Sequence, residues 1–456
     1  QGVTLFSSSS RVPVQIATAI QGAPSKAWLT PDGGKLVVLA GSSATTQSVY
    51  VIDATTDALL NPYPLSISGA MDIAMGIDSQ NMYVLTKGTS AASVIPVTLT
   101  PTLTAGTAIN IATTGATGII MAPNGLLYVS GTNSVFEISP VTLQVTAGAS
   151  AASPATIPVN GTPGPLAPTY DGNYAFAVNT NGSGAVYFVF NLNDRTVNLS
   201  QSANLGGAVL DKVFVGGNSN RAFFYSSQNK MLYEGNTAGG FNETPLKDQI
   251  RNGTVGSTVT SYEVPAKTLY LTSQNASSVN TIYQFDLSTN QMISSLAMPG
   301  DQTLLAWTGL NPTSGAALLT SFNPTQTVAA GAVSKPMVVR VLDSAGRPVY
   351  GATVTFAALS GGVTLSATNV SSNSQGLASI TATAGSTGGA YQIQASLSGA
   401  SPTNFTITVP GGGTGTCTQN CNATPTNLTI LKGNGQVVSE NNLSAELLLV
   451  SVKDAS

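Results

Sequence analysis

A repeat of about 47 residues occupies the first two-thirds of the chain. Each unit has an apolar strand, a turn rich in Pro, Asp, Asn and Gly, and a second apolar strand. The turns are centred at Asp32, Asp78, Asn124, Asp171, Asn218, Ala266 and Thr313, so the steps are 46, 46, 47, 47, 48 and 47 residues. The segments alternate or are β-rich and lack a 3.6-residue period, which predicts strands and not helices.

A second hairpin follows the first in these units. Its leading strand is SVYVID at 48–53, SVFEIS at 134–139, AVYFVF at 185–190 and TIYQFD at 281–286. Four strands in about 47 residues is the size of one propeller blade. The sequence therefore predicts an all-β chain that begins with a seven-bladed β-propeller of four-stranded blades over residues 1–323.

The two ends of the repeat region predict how the ring closes. The seventh unit, at 303–321, supplies only two strands before the composition changes near Asn323. The chain begins with VTLFSSSSRVPVQIATAI, which has the pattern strand, polar turn, strand. We expect residues 3–20 to complete this blade, because ring closure removes free sheet edges.

The repeat resembles the YVTN-type surface-layer propeller repeat. The matching stretches are LYVSGTNSVFEISPVTLQVTA at 127–147 and LVVLAGSSATTQSVYVIDATTDALL at 36–60. The resemblance covers about two-thirds of the chain and implies architecture far more than activity.

Residues 324–410 have a different pattern. Strands recur every 10–12 residues between Gly-rich turns, as in an immunoglobulin-like (Ig-like) β-sandwich. This region resembles the bacterial Ig-like domains of the invasin/intimin group through VLDSAGRPV at 341–349, VTF at 354–356 and SQGLA at 374–378. The resemblance implies a bacterial, extracellular, stalk-like module.

A Gly-rich linker with two cysteines, residues 411–426, follows the sandwich. Cys417 and Cys421 favour a local disulfide in an oxidising compartment. Metal binding and CxxC redox chemistry are disfavoured, since the chain has no His and three residues separate the cysteines. Residues 427–456 look like the opening strands of a second Ig-like domain. Either the polypeptide continues beyond Ser456, or another subunit completes the sandwich by strand addition.

Charge and composition exclude several classes of function. The absence of His removes Ser-His-Asp and Cys-His catalysis and His-ligated metals, and a net charge of −3 without a basic block disfavours nucleic-acid binding. No apolar run reaches the length of a transmembrane segment. We interpret Gln1 as a mature N-terminus after signal cleavage; a cytosolic protein is the disfavoured alternative.

Acidic residues recur at the turns and after third strands: Asp32, Asp53, Asp78, Asp171 and Asp286. Calcium binding or acid/base chemistry is one interpretation, and turn formation through the Asp side chains is the favoured one. Charged residues concentrate in the fifth and sixth units, at Lys212, Arg221, Lys230, Arg251 and Glu263. They could bind a polyanion, although ordinary solvated positions are the favoured interpretation.

Eleven N-x-S/T sequons are candidate glycosylation sites, a number close to chance for this composition. They are Asn160, Asn181, Asn198, Asn242, Asn252, Asn275, Asn369, Asn404, Asn422, Asn427 and Asn442.

The combined pattern predicts a secreted bacterial surface protein with a propeller head on an Ig-like stalk. We expect a structural or adhesive role, extended to a self-assembling filament subunit, with no catalysis and no cofactor. Expected partners are further copies of the chain, a neighbouring surface protein, or a host or environmental glycan. A surface-displayed propeller enzyme and a glycan-binding module are the alternatives.

Overall fold

The computed structural model describes most of the repeat region, the sandwich and two short segments after it. The described residues are 3–6, 13–17, 20–43, 46–56, 58–60, 64–88, 91–100, 102–111, 113, 115–146, 156–180, 186–201, 209–216, 219–226, 228, 231–239, 241–244, 258–260, 267–274, 280–289, 291–297, 315–410, 427–432 and 449–453. All of the regular secondary structure within them is β. No helix in this part of the chain has the length and apolar character of a membrane-spanning segment.

A two-stranded antiparallel hairpin comes first in the chain. It consists of β1 (Val3–Phe6) and β2 (Pro13–Ala17). This pairing agrees with the strand, turn, strand pattern that the sequence predicted there.

Six antiparallel sheets follow in chain order, and we number them as blades 1 to 6. Blade 1 comprises β3 (Ala23–Leu29), β4 (Lys35–Ser43), β5 (Thr46–Asp53) and β6 (Leu65–Ile67). Blade 2 comprises β7 (Ala70–Met75), β8 (Asn81–Lys87), β9 (Ala92–Thr98), β10 (Thr104–Ala105) and β11 (Ile109–Ile111). Blade 3 comprises β12 (Gly118–Met121), β13 (Leu127–Gly131), β14 (Ser134–Ser139), β15 (Gln144–Val145) and β16 (Thr156–Pro158).

The remaining three blades have four strands each. Blade 4 comprises β17 (Ala167–Pro168), β18 (Tyr174–Val178), β19 (Val186–Asn191) and β20 (Thr196–Gln201). Blade 5 comprises β21 (Lys212–Val215), β22 (Arg221–Ser226), β23 (Met231–Asn236) and β24 (Phe241–Thr244). Blade 6 comprises β25 (Thr258–Thr260), β26 (Thr268–Gln274), β27 (Asn280–Asp286) and β28 (Gln291–Ala297).

The apolar core of this region lies between consecutive blades. Each blade packs one face on the preceding sheet and the other on the following sheet, which gives a separate buried cluster for each neighbouring pair from blades 1 and 2 to blades 5 and 6. Between blades 4 and 5, for example, the rings of Tyr187 and Phe224 lie 4.4 Å apart. This arrangement of face-to-face sheets is propeller-like, as the alternating strands predicted.

The C-terminal sandwich has two main sheets. One has the order β29 (Ala316–Phe322), β31 (Met337–Asp343), β35 (Leu377–Ile380). The other has the order β30 (Thr325–Thr327), β38 (Ala400–Val409), β37 (Gly389–Leu397), β32 (Thr353–Ala358), β34 (Asn369–Ser371). A small sheet pairs β33 (Val363–Leu365) with β36 (Ala382–Ala384). Their inward side chains form one buried core around Phe356 and Phe405.

One predicted boundary is wrong. Residues 316–321 were expected to be the second strand of a seventh blade, with the sandwich starting at 324. Instead, β29 runs antiparallel to β31 from Ala316↔Asp343 to Phe322↔Val338, so it is the first strand of the sandwich. Its inward residue Leu319 belongs to the buried core of the sandwich. Burial in this core, and not the 47-residue spacing of the repeat, determines that β29 belongs to the sandwich.

Beyond the sandwich, the described residues form one more hairpin. It pairs β39 (Asn427–Lys432) with β40 (Leu449–Lys453) in antiparallel register. Cys417 and Cys421, and the seventh-blade residues 303–314, lie outside the described residues. The expected disulfide and the seven-fold ring closure therefore stay predictions.

Candidate functional site

The first strands of consecutive blades lie together on the inner side of the propeller. Strand β3 contacts β7, β7 contacts β12, and β17 contacts β21. One position recurs on this inner side, six residues before each turn centre. We call the residues at this position in blades 1 to 5 the inner ring: Lys26, Asp72, Gly118, Pro165 and Lys212.

The backbone places these side chains in the same way in blades 1 and 2. A β-bulge precedes Lys26 in β3 and an equivalent bulge precedes Asp72 in β7. A bulge adds one residue and redirects the side chain that follows it. In both blades the residue after the bulge reaches toward the next blade.

Asp72 links three blades through its carboxylate. Its Oδ1 lies 2.9 Å from Nζ of Lys26 in blade 1, and its Oδ2 accepts a 3.0 Å hydrogen bond from the backbone N–H of Ile119 in blade 3. Gly118 permits this approach, since a Cβ there would lie 3.1 Å from Oδ2 and 2.9 Å from Cβ of Pro165. Asp72 is buried, while the Lys26 side chain is 45% exposed.

Lys212 completes the charged part of the inner ring. Burial lowers the pKa of its ammonium group, nearby Asp211 raises it, and the positive charge of Lys26 lowers it further. Lys212 is half-buried at the start of β21, so it is less solvated than the interpretation favoured from sequence expects.

A second polar centre lies where the sandwich meets the propeller, around Glu137 of β14. Its Oε1 accepts hydrogen bonds from Arg195 at 2.7 Å and from Lys335 of the sandwich at 2.9 Å. Thr146 donates to the same oxygen at 2.6 Å, and Tyr128 donates to Oε2 at 3.2 Å. Burial raises the pKa of Glu137, but the donors outweigh it and hold the pKa at about 2.

The sandwich covers the ends of four blades. The turns between first and second strands of blades 1 to 4 form a surface that we call the turn face, with Pro31, Ile77, Asn124 and Tyr170 on successive blades. Ser374 N–H donates to the Pro31 carbonyl at 2.5 Å, and Asn373 Nδ2 donates to the Ile77 carbonyl at 3.1 Å.

The contact continues across blades 3 and 4. Asn323 Nδ2 reaches the Asn124 carbonyl at 3.5 Å, and the guanidinium of Arg340 donates to the Tyr170 carbonyl. Phe322, Val338 and Leu377 of the sandwich form an apolar cluster against Ile77 of blade 2. The repeat-equivalent turns of four blades are thus one docking surface for the sandwich.

Arg340 is the unusual member of this contact. Its guanidinium lies 5.1 Å from the centre of the Phe322 ring and is 5% exposed. Burial lowers its pKa to about 10, against the opposing influence of Tyr170 and Asp171. A buried cation is costly without compensation, and its contact with the Tyr170 carbonyl connects β31 to blade 4, while its contact with the Phe322 ring lies within the sandwich.

The predicted turn carboxylates form turns. Asp32 accepts from Gly34 N–H at 2.9 Å, Asp78 from Gln80 N–H at 2.9 Å and Asp171 from Asn173 N–H at 3.1 Å. Backbone hydrogen bonds from Thr56 and Thr55 lower the pKa of Asp53, and hydrogen bonds from Ser288 lower that of Asp286. Turn formation is confirmed for these five side chains. No group of three or more acidic or Cys side chains in the described part of the chain could hold a metal ion.

The other predicted residues have separate places. Arg221 pairs with Glu234 at 2.6 Å within blade 5, so it is not an ordinary solvated position. Lys230, Arg251 and Glu263 lie outside the described residues. Among the sequons, Asn160, Asn198, Asn369 and Asn404 are exposed. Asn181, Asn252, Asn275, Asn422 and Asn442 lie outside the described residues, and only the backbone is described at Asn242 and Asn427.

The inner ring and the docking surface were not predicted from the sequence. The signal for the ring was present in the repeat, since Lys26, Asp72 and Lys212 each lie six residues before a turn centre. No sequence signal identifies Glu137 or Arg340 as contact residues, because their partners are 58 and 170 residues away.

Comparison with known proteins supports the two-part architecture. Residues 318–409 match the bacterial Ig-like domain (group 1) family. This range confirms the Ig-like resemblance and includes the last five of the seven residues of β29. No curated protein matches the chain.

Several solved structures are similar to the chain in fold. A periplasmic gluconolactonase from Pseudomonas aeruginosa is 15% identical, with a TM-score of 0.49, covering 65% of this chain and 90% of that one. A proposed 6-phosphogluconolactonase from Bacteroides fragilis is 14% identical, with a TM-score of 0.47 and coverages of 64% and 90%. The Cps50 (Swd1) β-propeller domain of Myceliophteria thermophila is 9% identical, with a TM-score of 0.47 and coverages of 72% and 96%.

These similarities correct one prediction. From its sequence the chain was predicted not to be an enzyme, but two of the similar structures are named as a gluconolactonase and a proposed 6-phosphogluconolactonase. Fold alone assigns no chemistry to this chain, but the absence of catalysis is no longer expected from its architecture.

Proposed function

We propose that the chain is a secreted bacterial cell-surface protein in which the Ig-like sandwich carries the propeller as a head and leaves the inner ring open to a ligand. The observation that carries the proposal is the docking of the sandwich on the turn face of blades 1 to 4. The bacterial Ig-like match and the resemblance to surface-layer repeats support the location. The low charge, 8% of residues, favours close packing of copies in a surface layer or filament.

The docking geometry gives the head a defined orientation. Lys26 lies at the middle of β3, three residues or roughly 10 Å before the end of the strand at the turn face. The described contacts of the sandwich lie on the turn face, so we infer that the opposite face stays available to a ligand. Adhesion or ligand capture would use that face.

The hairpin β1–β2 is proposed to complete the ring. Ile20, directly after the hairpin, is buried against Ala27, Val38 and Tyr50 on the outer side of blade 1. Gln21 N–H also donates to the Tyr50 hydroxyl at 3.2 Å. A blade next to blade 1 would bury this side of the sheet in the same way that blade 2 buries the other.

Two measurements test the proposal. Intact producing bacteria would be treated with protease, and fractionated cells would be probed for the chain; we expect it in the surface fraction and sensitive to protease. Negative-stain electron microscopy of purified protein should show a head at one fixed angle to its stalk. A cytosolic, protease-protected chain, or heads at random angles, would refute the proposal.

A further inference from the structure

A cleft lies between the turn face of blades 2 and 3 and the sandwich, with a volume of about 210 Å³. Its polar lining includes Asp78, Asn81 and Tyr83 from the propeller and Ser379 and Thr381 from the sandwich. Asp78 is exposed, so the cleft is reachable from solvent. Sites for drug-sized ligands have volumes of about 300–1,000 Å³, so this cleft has room for one small ring.

Tyr83 brings to the cleft a hydroxyl group that the protein itself does not use. The residue is only 5% exposed, and it belongs to the buried cluster between blades 2 and 3. A buried tyrosine hydroxyl usually has a hydrogen-bond partner, but no hydrogen bond joins that of Tyr83 to any described residue. Burial, followed by the charge of Asp78, raises the pKa of Tyr83, so the hydroxyl stays protonated and can donate. A ligand in the cleft would supply the missing partner.

The opposite wall also carries hydroxyl groups, at the end of β35. Side chains alternate along a strand, and Leu377 of β35 faces the propeller in the apolar cluster with Ile77. Ser379 and Thr381 therefore face the propeller too, whereas Ile380 between them belongs to the sandwich core. Neither hydroxyl has a hydrogen-bond partner among the described residues. A molecule in the cleft can thus bond to the propeller and the sandwich at once.

The charges around the cleft favour a neutral ligand. Asp78 is the one charged side chain among the described lining residues. Its Oδ1 accepts from the backbone N–H of Gln80 at 2.9 Å and of Asn81 at 3.1 Å, and its Oδ2 accepts from Asn81 Nδ2 at 2.8 Å. This carboxylate would repel an anion, and its internal hydrogen bonds leave it little capacity for a cation. Met121 and Pro336 add an apolar part to the lining.

We propose that this cleft binds one neutral sugar residue between the propeller and the sandwich. A sugar ring has hydroxyl groups around its edge and apolar C–H groups on its faces, which fits two hydroxyl-bearing walls beside an apolar surface. Tyr83 would donate to the ring from one side, and Ser379 and Thr381 would bond to it from the other. The ligand is a free monosaccharide or the end residue of a glycan, since both present the same ring.

The site rests on the docked position of the sandwich, which the proposed function also uses. It does not depend on where the protein is displayed or on the inner ring. Heads at one fixed angle without sugar binding would therefore refute the sugar site alone. Heads at random angles would refute the docked position and, with it, the cleft.

The test is titration of the full chain with glucose, galactose and N-acetylglucosamine, followed by saturation-transfer NMR. We expect saturable binding of at least one of these sugars. Glucuronate, which adds a carboxylate to the same kind of ring, is the charged control probe and should show no saturable binding. The two methyl glycosides of the sugar that binds then distinguish the sources. Binding of either glycoside assigns the end residue of a glycan, and loss of both assigns a free monosaccharide.

Three variants locate the binding. Tyr83→Phe should weaken it by about three- to ten-fold, because it removes one hydrogen bond and keeps the buried ring. Ser379→Ala should have an effect of similar size from the sandwich wall, and it keeps the test decisive if Tyr83→Phe is unstable. Tyr270→Phe is the matched control, since Tyr270 is also buried but belongs to β26 in blade 6, and this variant should bind as the parent does.

Thermal melting of each variant checks that it is folded. No saturable binding of any of the three sugars would overturn the proposal. Unchanged binding in both cleft variants, an equal loss in Tyr270→Phe, or equally tight binding of glucuronate would overturn it as well.

Discussion

The ammonium group of Lys335, shortly before β31 of the sandwich, lies 2.9 Å from Oε1 of Glu137, in the third strand of blade 3. Arg195, from blade 4, binds the same carboxylate oxygen at 2.7 Å. One buried carboxylate therefore joins two blades and the sandwich. Because Glu137 itself is only 3% exposed, loss of its charge leaves two cations facing each other.

Glu137→Gln should destabilise the chain by about 3 kcal/mol, because removing one partner of a buried ion pair leaves uncompensated charge. The measurement is urea denaturation followed by fluorescence and circular dichroism. Glu234→Gln, which disrupts the pair with Arg221 inside blade 5, is the control; it should leave the contact between sandwich and propeller intact. Equal protease sensitivity of the segment around 323–336 in both variants would contradict the prediction.

The same carboxylate predicts a dependence on pH. The pKa of Glu137 is about 2 in the folded chain against an ordinary value of 4.5, so it contributes stability that is complete above pH 4.5 and is lost as the pH falls toward 2. The difference in unfolding free energy between the parent and Glu137→Gln should therefore be constant from pH 8 to 5.5 and shrink below pH 4.5. A difference that instead grows on acidification would show that this sign is wrong.

Gly125→Ala should disrupt the docking surface. Gly125 has φ +82°, and a Cβ there would lie 2.7 Å from Pro336 and 2.9 Å from Val338 of the sandwich. Gly33→Ala is a matched control, since Gly33 has φ +72° in the equivalent turn of blade 1 and no atom within 4 Å of a new Cβ. We expect about 1 kcal/mol from backbone strain in both variants and about 1–3 kcal/mol more for Gly125→Ala. Equal thermal melting temperatures would mean that Gly125 lies away from the sandwich.

The position of β29 predicts which fragment folds. A fragment of residues 315–410 contains the complete sheet β29–β31–β35, whereas 324–410 lacks β29 and exposes one edge of β31. We expect cooperative thermal unfolding for the longer fragment and a markedly lower or absent transition for the shorter one. If both unfold at the same temperature, β29 contributes nothing to the sandwich and the repeat spacing was the better guide.

Deleting residues 1–20 should open the propeller and cause aggregation. The deletion removes the hairpin β1–β2 and Ile20, and it uncovers the side of blade 1 formed by Ala27, Val38 and Tyr50. Size-exclusion chromatography with light scattering measures the result. Ile20→Ser, which keeps the hairpin, separates the loss of one buried side chain from the loss of closure. A stable monomeric deletion variant would refute the closure proposal.

Sequence reasoning predicted the strands better than the contacts between them. The third strands expected at 48–53, 134–139 and 281–286 are present in β5, β14 and β27, because strand alternation and turn chemistry are local properties. The sequence could not predict whether β29 belongs to a blade or to the sandwich, since the apolar residues of this strand could be buried in either one. Its pairing with β31 depends on contacts that neither segment contains alone.

At the candidate sites, too, local hydrogen bonds were predicted from the sequence and long-range contacts were not. Asp32 and Asp78 were predicted as turn residues, and their hydrogen bonds lie within two residues of each carboxylate. Lys26 and Asp72 are 46 residues apart, and their contact required superposition of one repeat on the next. Composition indicated few charges, but it could not indicate that several of them converge at the inner ring and at the docking surface.

The sandwich also has a mechanical property. Strand β30 runs parallel to β38, with Thr325 opposite Thr406 and Thr327 opposite Thr408. The chain enters the sandwich at β29, continues directly into β30, and leaves after β38. Tension that is transmitted past β29 therefore pulls β30 and β38 past each other lengthwise. The hydrogen bonds between them, including Val328 N–H to the Thr408 carbonyl at 3.0 Å, then share the load and break together instead of one after another. A sandwich with this strand arrangement would stay folded under drag forces that would separate an antiparallel end strand one hydrogen bond at a time.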